Sequence, residues 1–280
     1  MKILLSAFFI LTSFLLKAQN SGEFTVPFSS PTGVVKVIVD IKTGSVTVKG
    51  TARKDVWVKY SDKEENEPET VEDNNNDNDN DHRNRTTNKE GLKKISNGTM
   101  NLEASEYQNT VKINSDNWGN RMNVIVEVPS TVSLKVKTYN DGDLEVNNIT
   151  GIVELTNYNG AITATGISGT VVAETYNGDI KIVYDKLTPD TPLSYANFNG
   201  NIDLTFPASL KANVKMKTKQ GEIYSGFDAQ VKKGSPVTKT ETKTGIYKVQ
   251  IDDWVKVDVN GGGPEVSIQT YNGDIFLRKK

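Results

Sequence analysis

Five aromatic side chains occupy the same position in a recurring Asn-Gly motif, and they are the residues best suited to bind a ligand. The flanking sequence alternates between apolar and polar residues, and the aromatic position is out of phase with the apolar one, so we expect the rings to face outward in a column. Exposed rings in a row can stack on sugar rings. They can equally pack on one another, which contributes about 0.5–1.5 kcal/mol per pair, and we expect this stabilising role first. The five are Tyr139, Tyr158, Tyr176, Phe198 and Tyr271.

Carboxylates that follow the same motif offer a second kind of chemistry. Asp143, Asp179, Glu222 and Asp274 come directly after the motif glycines, and we expect them to form another outward column. Paired carboxylates can act as the acid and base that cleave a polysaccharide. An aspartate after Asn-Gly more commonly accepts hydrogen bonds from the backbone of the turn. We therefore predict no catalytic residue, and a polysaccharide lyase or hydrolase that uses these carboxylates is the alternative function.

The sequence lacks the residues that other common catalytic and cofactor sites require. The only histidine, His82, lies in an acidic segment, and the chain has no cysteine. Neither a Gly-x-Ser-x-Gly nor a His-Glu-x-x-His pattern occurs, which removes the common serine hydrolase and zinc peptidase arrangements. The glycines at 261–263 lack the Lys and Ser/Thr of a phosphate-binding loop, so we expect a flexible connector there. The sequence predicts a protein that is not an enzyme and has no cofactor.

Residues 61–90 interrupt the alternation with 11 acidic and four basic residues. Their centre is a run of Asp and Asn at 73–81, whose oxygens resemble those of a calcium loop. Counted from Asp73, the run lacks the glycine at the sixth position and the glutamate at the twelfth position of an EF-hand. The segment has almost nothing to bury, so we predict a disordered insertion. The alternative is calcium binding at Asp73, Asp77, Asp79 and Asp81.

All of the motif residues belong to one short repeat, which occurs six times and reads Thr-Tyr-Asn-Gly-Asp-Ile in its clearest copies. Its glycines are Gly142, Gly160, Gly178, Gly200, Gly221 and Gly273, spaced by 18, 18, 22 and 21 residues before one long gap. A fixed period of about 20 residues is typical of stacked repeat architectures. Asparagine precedes the glycine in most copies, and both residue types accept positive φ at a tight corner. The corner asparagines are Asn140, Asn159, Asn177, Asn199 and Asn272.

The alternation on both sides of the motif predicts two strands per repeat. An isolated Asn-Gly would favour a hairpin, but equal apolar columns in successive repeats indicate that each strand pairs with the same strand of the next repeat, in sequence order. A second glycine, at 151 and again at 169, supplies the other corner. The sequence therefore predicts an all-β, single-domain parallel β-solenoid (a β-helix or β-roll of either hand) with rungs of 18–22 residues and coils about 4.8 Å apart.

The first residues predict export. Lys2, an apolar run to Leu16 and then Lys17-Ala18 have the layout of a secretory signal peptide cleaved after Ala18. Without residues 1–18 the chain keeps 31 basic and 35 acidic residues, a formal charge of −4, which predicts no nucleic-acid partner. We expect no transmembrane segment and no lipid anchor in the mature chain. We predict four segments: signal peptide 1–18, N-terminal strands or first coils 19–60, insertion 61–90 and solenoid body 91–280.

Several motifs together resemble a known family. They are Gly-Ser-Val-Thr-Val at 44–48, the Asn-Gly-Asp-Ile rungs, the Val-Pro and Phe-Pro joints at 128–130 and 206–208, and the closing stretch at 261–275. On these motifs the chain resembles the bacterial putative-adhesin β-helix family, a domain of unknown function in cell envelope proteins, over most of residues 33–280 except the insertion. The resemblance implies an all-β solenoid in the periplasm, at the cell surface or outside the cell, and it carries over no catalytic residue.

These observations predict an exported, non-catalytic envelope protein. We expect an adhesin-like or structural module whose repeat-built surface meets a glycan, peptidoglycan or an envelope protein.

Overall fold

The computed structural model describes residues 21–61, 101–187, 191–232 and 254–280, and every regular element in these ranges is a β-strand. The predicted signal peptide, the predicted insertion after Ser61 and the four aspartates of the calcium hypothesis lie outside the described residues. The first ten strands are β1 (Ser21–Pro27), β2 (Lys36–Thr43), β3 (Val46–Thr51), β4 (Asp55–Ser61), β5 (Glu103–Tyr107), β6 (Thr110–Ser115), β7 (Asn123–Pro129), β8 (Ser133–Asn140), β9 (Leu144–Asn147) and β10 (Val153–Asn159).

The remaining strands are β11 (Ile162–Ile167), β12 (Val171–Asn177), β13 (Ile180–Tyr184), β14 (Leu193–Ala196), β15 (Ile202–Phe206), β16 (Ala212–Lys217), β17 (Ile223–Ser225), β18 (Ala229–Lys232), β19 (Val255–Val259), β20 (Glu265–Gln269) and β21 (Ile275–Lys279). They form two large sheets, in which most neighbouring strands are parallel. The first sheet has the order β1-β4-β7-β3-β9-β11-β13-β15-β21-β17, and the second has the order β18-β19-β16-β20-β14-β12-β10-β8-β2-β6-β5.

Strand pairing follows the repeat and not a hairpin across the Asn-Gly corner. In the second sheet, Val153 of β10 pairs with Leu134 of β8 on one side and with Val171 of β12 on the other. In the first sheet, Ile162 pairs with Leu144 and with Ile180 in the same way. The apolar columns read from the sequence are therefore in register. We call a strand of the second sheet, together with the first-sheet strand that follows it across the corner, a unit.

Units stack in sequence order only in the middle of the molecule. The middle comprises β8/β9, β10/β11, β12/β13 and β14/β15. The next unit in space is β20/β21, near the end of the chain, and β16/β17 lies beyond it. At the other end, β2/β3 is inserted between β6/β7 and β8/β9. The prediction that each repeat pairs with the next one in the sequence is therefore wrong at the step from Gly200 to Gly221.

Antiparallel strands cover the ends of the stack. In the first sheet, β4 pairs antiparallel with β7, and β1 pairs antiparallel with β4. In the second sheet, β5 covers β6, while β19 and then β18 cover β16. Exposed edges of parallel strands recruit further strands, so such caps prevent end-to-end association. The uncapped end in the described residues is the three-residue strand β17.

The inward columns of the two sheets form one apolar core. Ile180 and Ile182 of β13 are fully buried, and so are Ile202 and Leu204 of β15. Each such side chain contributes about 1.5–3 kcal/mol by leaving water. At Gly169 the second corner admits only glycine, because a Cβ there would lie 1.9 Å from the carbonyl oxygen of Gly151.

A cluster of large aromatic side chains fills the core of the middle units. The hydroxyl oxygens of Tyr184 and Tyr195 lie 2.6 Å apart, and the ring of Tyr184 stacks on Phe206 with centroids 4.9 Å apart. Burial raises the pKa of both tyrosines above that of a free phenol. The pair therefore satisfies its polar atoms without ionising.

Candidate functional site: the Asn-Gly corner and its aromatic ladder

Close approach of the backbone explains the glycine at the first corner. Gly178 has φ +146°, and a Cβ there would lie 2.2 Å from the carbonyl oxygen of Gly160 in the neighbouring unit. Gly273 has φ +145° and would clash in the same way with Gly200, at 2.1 Å. The same approach recurs at Gly142, Gly160, Gly200 and Gly221. Positive φ falls on the glycine in four copies and on Asp141 in the first copy, and the corner asparagines do not adopt it.

The corner asparagines instead form a ladder of side-chain amides along the stack. Asn159 donates to Oδ1 of Asn140 at 3.0 Å, and Asn177 donates to Asn159 at 2.8 Å. Asn199 donates to Asn177, and Asn272 donates to Asn199, both at 2.7 Å. Each amide thus bonds the equivalent amide of the next unit. A ladder of this kind resists any slip in register, because a slipped strand leaves its amides without partners.

A second row of polar side chains lies just inside the corner. Thr175 donates to the carbonyl oxygen of Gly160 at 3.0 Å, Asn197 donates to that of Gly178 at 3.1 Å, and Thr270 donates to that of Gly200 at 3.2 Å. Asn157 and Thr218 make the equivalent bonds to Gly142 and Gly273. These side chains are buried or half-buried, so the bonds satisfy groups that would otherwise cost about 1–3 kcal/mol each.

Outside the asparagines, four of the five predicted rings form a continuous stack. Tyr158 and Tyr176 have centroids 5.1 Å apart, Tyr176 and Phe198 are 4.9 Å apart, and Phe198 and Tyr271 are 4.8 Å apart. The planes are within 13° of parallel in every pair. We call these four rings the aromatic ladder. The ladder has four rings because the unit β20/β21 is inserted beside β14/β15, which places Tyr271 next to Phe198.

Tyr139, the fifth predicted ring, does not join the ladder. Its ring lies against Trp118 with centroids 5.5 Å apart and planes at 58°, and Nζ of Lys42 lies 4.5 Å from its centroid. Thr43 pairs with Asn140, so Lys42 occupies the position of the ring in the inserted unit β2/β3. Lys42 and Trp118 are not among the residues predicted from the sequence. The alignment of Thr43-Gly44 with the other corners points to Lys42, whereas Trp118 lies in an unrepeated loop between β6 and β7 and carries no such signal.

The ladder presents ring edges to solvent. Tyr158, Tyr176, Phe198 and Tyr271 are 51%, 42%, 37% and 42% exposed. A ring with a neighbour on each side has both faces covered, and only its edge and hydroxyl remain free. The inner rings, Tyr176 and Phe198, therefore contribute stacking energy and the single hydroxyl of Tyr176, while ring faces are free only where the ladder ends.

The outward carboxylates hold neighbouring units together. Oδ1 of Asp143 accepts the backbone N–H of Ala161 at 2.8 Å, Asp179 accepts that of Asn201 at 2.7 Å, and Asp274 accepts that of Glu222 at 2.8 Å. Each bond runs from one unit to the next. This geometry fits the structural role expected for an aspartate after Asn-Gly, although the bonded N–H belongs to the neighbouring unit.

A further stacked aromatic pair, the exposed Tyr224 and the half-buried Phe276, lies away from the corner, on the first sheet. Tyr224 and Phe276 stack with centroids 5.2 Å apart, and the guanidinium of Arg278 lies 5.1 Å from the Phe276 ring while it bonds Asp203 at 2.7 Å. A surface cavity of about 610 Å³ is lined by Tyr224, Phe276 and Arg278 and by the end of β21. In the ranges that the structure describes, no group of three or more acidic or histidine side chains is placed to hold a metal, and no helix is long and apolar enough to cross a membrane.

One family model and one solved structure are similar to this chain. Residues 148–278 match the family model described as Toastrack DUF4097, a domain of unknown function. The crystal structure of a "putative cell adhesion protein" from Clostridium sporogenes matches with a TM-score of 0.47 and 12% identity, over 94% of this chain and 100% of that chain. No curated protein matches. The second half of the chain is thus similar to the Toastrack domain, so the resemblance to a β-rich family of unknown function is confirmed in part.

Proposed function

We propose that the protein is an exported, non-catalytic module of the cell envelope that presents the Asn-Gly corner and its aromatic ladder to a glycan, peptidoglycan or an envelope protein. The observation that supports this proposal most directly is the ladder itself, four stacked rings that stay between 37% and 51% exposed along one edge. Solvent-exposed aromatic side chains in one continuous row are unusual on a soluble surface and commonly mark an interaction site.

We also propose that the described sheets form a single solenoid. All units would belong to one parallel solenoid with rungs of 18–22 residues, formed by residues 19–60 and 91–280 around the insertion at 61–90. The shared order of units in both sheets supports a single body, because β20/β21 is inserted between the same neighbours in each. Cleavage after Ala18 and export to the periplasm, cell surface or medium would be checked by sequencing the N-terminus of the protein recovered from each fraction.

The carboxylate bonds argue against the alternative of a polysaccharide lyase or hydrolase. A catalytic acid and base must reach the scissile bond, whereas Asp143, Asp179 and Asp274 each accept a backbone N–H from the neighbouring unit. Their position between units is accounted for without a substrate.

The test is binding of the exported protein to a glycan array and to purified peptidoglycan, with and without calcium. A double variant, Tyr158→Ser and Tyr176→Ser, should lose binding while it keeps the β-sheet circular dichroism of the parent. The matched control is Tyr224→Ser with Phe276→Ser, which removes another stacked aromatic pair at the surface and should bind as before. A folded ladder variant with unchanged binding would contradict the proposal, and release of reducing sugar by the parent would favour the enzyme.

A further inference from the structure

The aromatic ladder is interrupted between two neighbouring units although the backbone is not. The amide ladder continues across this step, since Asn159 donates to Asn140. The rings do not: Tyr158 stacks on Tyr176, and Tyr139 lies against Trp118. The interruption therefore results from the direction of the Tyr139 side chain. It leaves one face of the Tyr158 ring without an aromatic neighbour.

Lys42 explains why Tyr139 turns away. Its Nζ lies 4.5 Å from the Tyr139 centroid and bonds Oδ1 of Asp40 at 2.7 Å. Burial lowers the pKa of Lys42, but the hydrogen bond and charge of Asp40, with smaller contributions from Tyr139 and Asp116, outweigh it and raise the pKa above its ordinary value. The lysine therefore stays charged. A cation held over the ring at this distance fixes Tyr139 toward the inserted unit.

Exposure locates the free ring face. Tyr176 has rings on both faces and is 42% exposed, and Tyr271 at the other end of the ladder has the same exposure. Tyr158 is 51% exposed, the highest value in the ladder. Trp118 is 57% exposed beside Tyr139, and its carbonyl oxygen accepts a bond from Thr43 at 3.2 Å, which positions the loop that carries the indole.

We propose that the interruption between Tyr139 and Tyr158 binds one neutral sugar ring of a glycan, which stacks on the face of Tyr158 that no aromatic side chain covers. This inference rests on the proposed function and names its site. The apolar C–H face of a sugar stacks on an aromatic face, and inside the ladder these faces are covered by neighbouring rings. The cation at the site is already paired with Asp40, while Asp116 and Asp141 lie near the same corner, so an uncharged or N-acetylated sugar fits and an acidic sugar is repelled.

Titration calorimetry with soluble cello- and chito-oligosaccharides tests the site. Tyr158→Leu should weaken binding by roughly tenfold, which corresponds to about 1.4 kcal/mol. The matched control Tyr224→Leu removes an exposed ring of the first sheet, outside the ladder, and should leave the affinity unchanged, whereas Tyr271→Leu at the far end of the ladder should weaken binding less than Tyr158→Leu does. If Tyr271→Leu weakens binding as much as Tyr158→Leu, the whole ladder binds and this site is wrong, although the proposed function stands.

A positioning variant separates this inference from a purely structural role. Lys42→Met removes the cation and frees Tyr139 to stack on Tyr158, so binding should fall by roughly tenfold while the melting temperature does not. A fall in melting temperature with unchanged binding would overturn the role of Lys42 and of the interruption. Tighter binding of an oligouronate than of the neutral oligosaccharides would overturn the assigned ligand class. If the parent binds no glycan, both this inference and the glycan form of the proposed function fail.

Discussion

The middle units and the end units of the stack are built from the same motif but assembled by different rules. From β8/β9 to β14/β15, each unit pairs with its neighbour in the sequence. At both ends a distant unit is inserted, β2/β3 on one side and β20/β21 on the other. In both cases the unit displaced to the outside, β6/β7 or β16/β17, is the one that pairs with antiparallel strands. The inserted units therefore extend the repeat, and the outer units carry the caps.

This difference determines the surface. Insertion of β20/β21 places Tyr271 and Asn272 beside Phe198 and Asn199, and the aromatic and amide ladders each gain a member. If the units stacked in sequence order, Lys219 and Gln220 would occupy the positions of Tyr271 and Asn272. At the other end, insertion of β2/β3 places Lys42 beside Tyr139 and ends the ring stack. One insertion thus lengthens the ladder and the other terminates it.

The largest effect is expected in the middle units. Ile180 is fully buried between Ile162 and Ile202, so Ile180→Asp would place a carboxylate in the core without a partner, at a cost of several kcal/mol. We expect the variant to be unfolded at room temperature by circular dichroism. Lys181→Asn, one residue away on the outer face, should melt like the parent. A folded Ile180→Asp protein would show that the assigned register is wrong.

A cavity in the inserted last unit should cost nearly as much as one in the middle. Leu277 is 1% exposed and pairs with Leu204 on one side and with Ser225 on the other. Leu277→Ala should lower the free energy of unfolding by about 2–5 kcal/mol in urea titrations. The comparison is Tyr224→Ala in the outermost unit, which should cost much less because the side chain is half exposed. Equal, small effects would mean that β20/β21 is a frayed end.

The buried tyrosines of the middle units predict a loss of stability at high pH. The folded pKa of Tyr184 and of Tyr195 is raised above the unfolded value of 10.0. Their contribution is therefore complete below pH 10 and declines as the unfolded phenols ionise above it, by about 1.4 kcal/mol per group for each pH unit. Urea unfolding at several alkaline pH values should show a steeper decline for the parent than for the variant Tyr184→Phe with Tyr195→Phe. Equal slopes would contradict the raised pKa values.

The amide ladder should show a smaller effect that depends on position. Asn199 donates to Asn177 and accepts from Asn272, so Asn199→Ala removes two bonds and should cost about 1–3 kcal/mol. Asn140 accepts one ladder bond, so Asn140→Ala should cost about half as much. Denaturant midpoints at a constant m-value measure both. A larger loss at Asn140 would show that the ladder does not account for the stability of the corner.

Much of this arrangement could be predicted because six copies of one motif align with one another. The apolar columns, the outward phase of the rings and the corner glycines all follow from that internal alignment. The order of the units does not follow from it, since Val214 pairs equally well with any strand that presents the same column, and its partner is Val266. No other copy of the motif has a counterpart of Trp118, so its contact with Tyr139 depends on tertiary packing alone.

Disulfide formation tests the order of the units most directly, because the chain has no cysteine of its own. Ser194 of β14 pairs with Ser267 of β20, and Ser267 pairs with Lys215 of β16. Cysteines at 194 and 267 should cross-link on mild oxidation, because adjacent strands place their Cα atoms within the range that a disulfide accepts. Cysteines at 194 and 215 should not, since two strand spacings, roughly 9.6 Å, separate them. A cross-link between 194 and 215 and none between 194 and 267 would restore sequence order and contradict the inserted unit on which the full aromatic ladder depends.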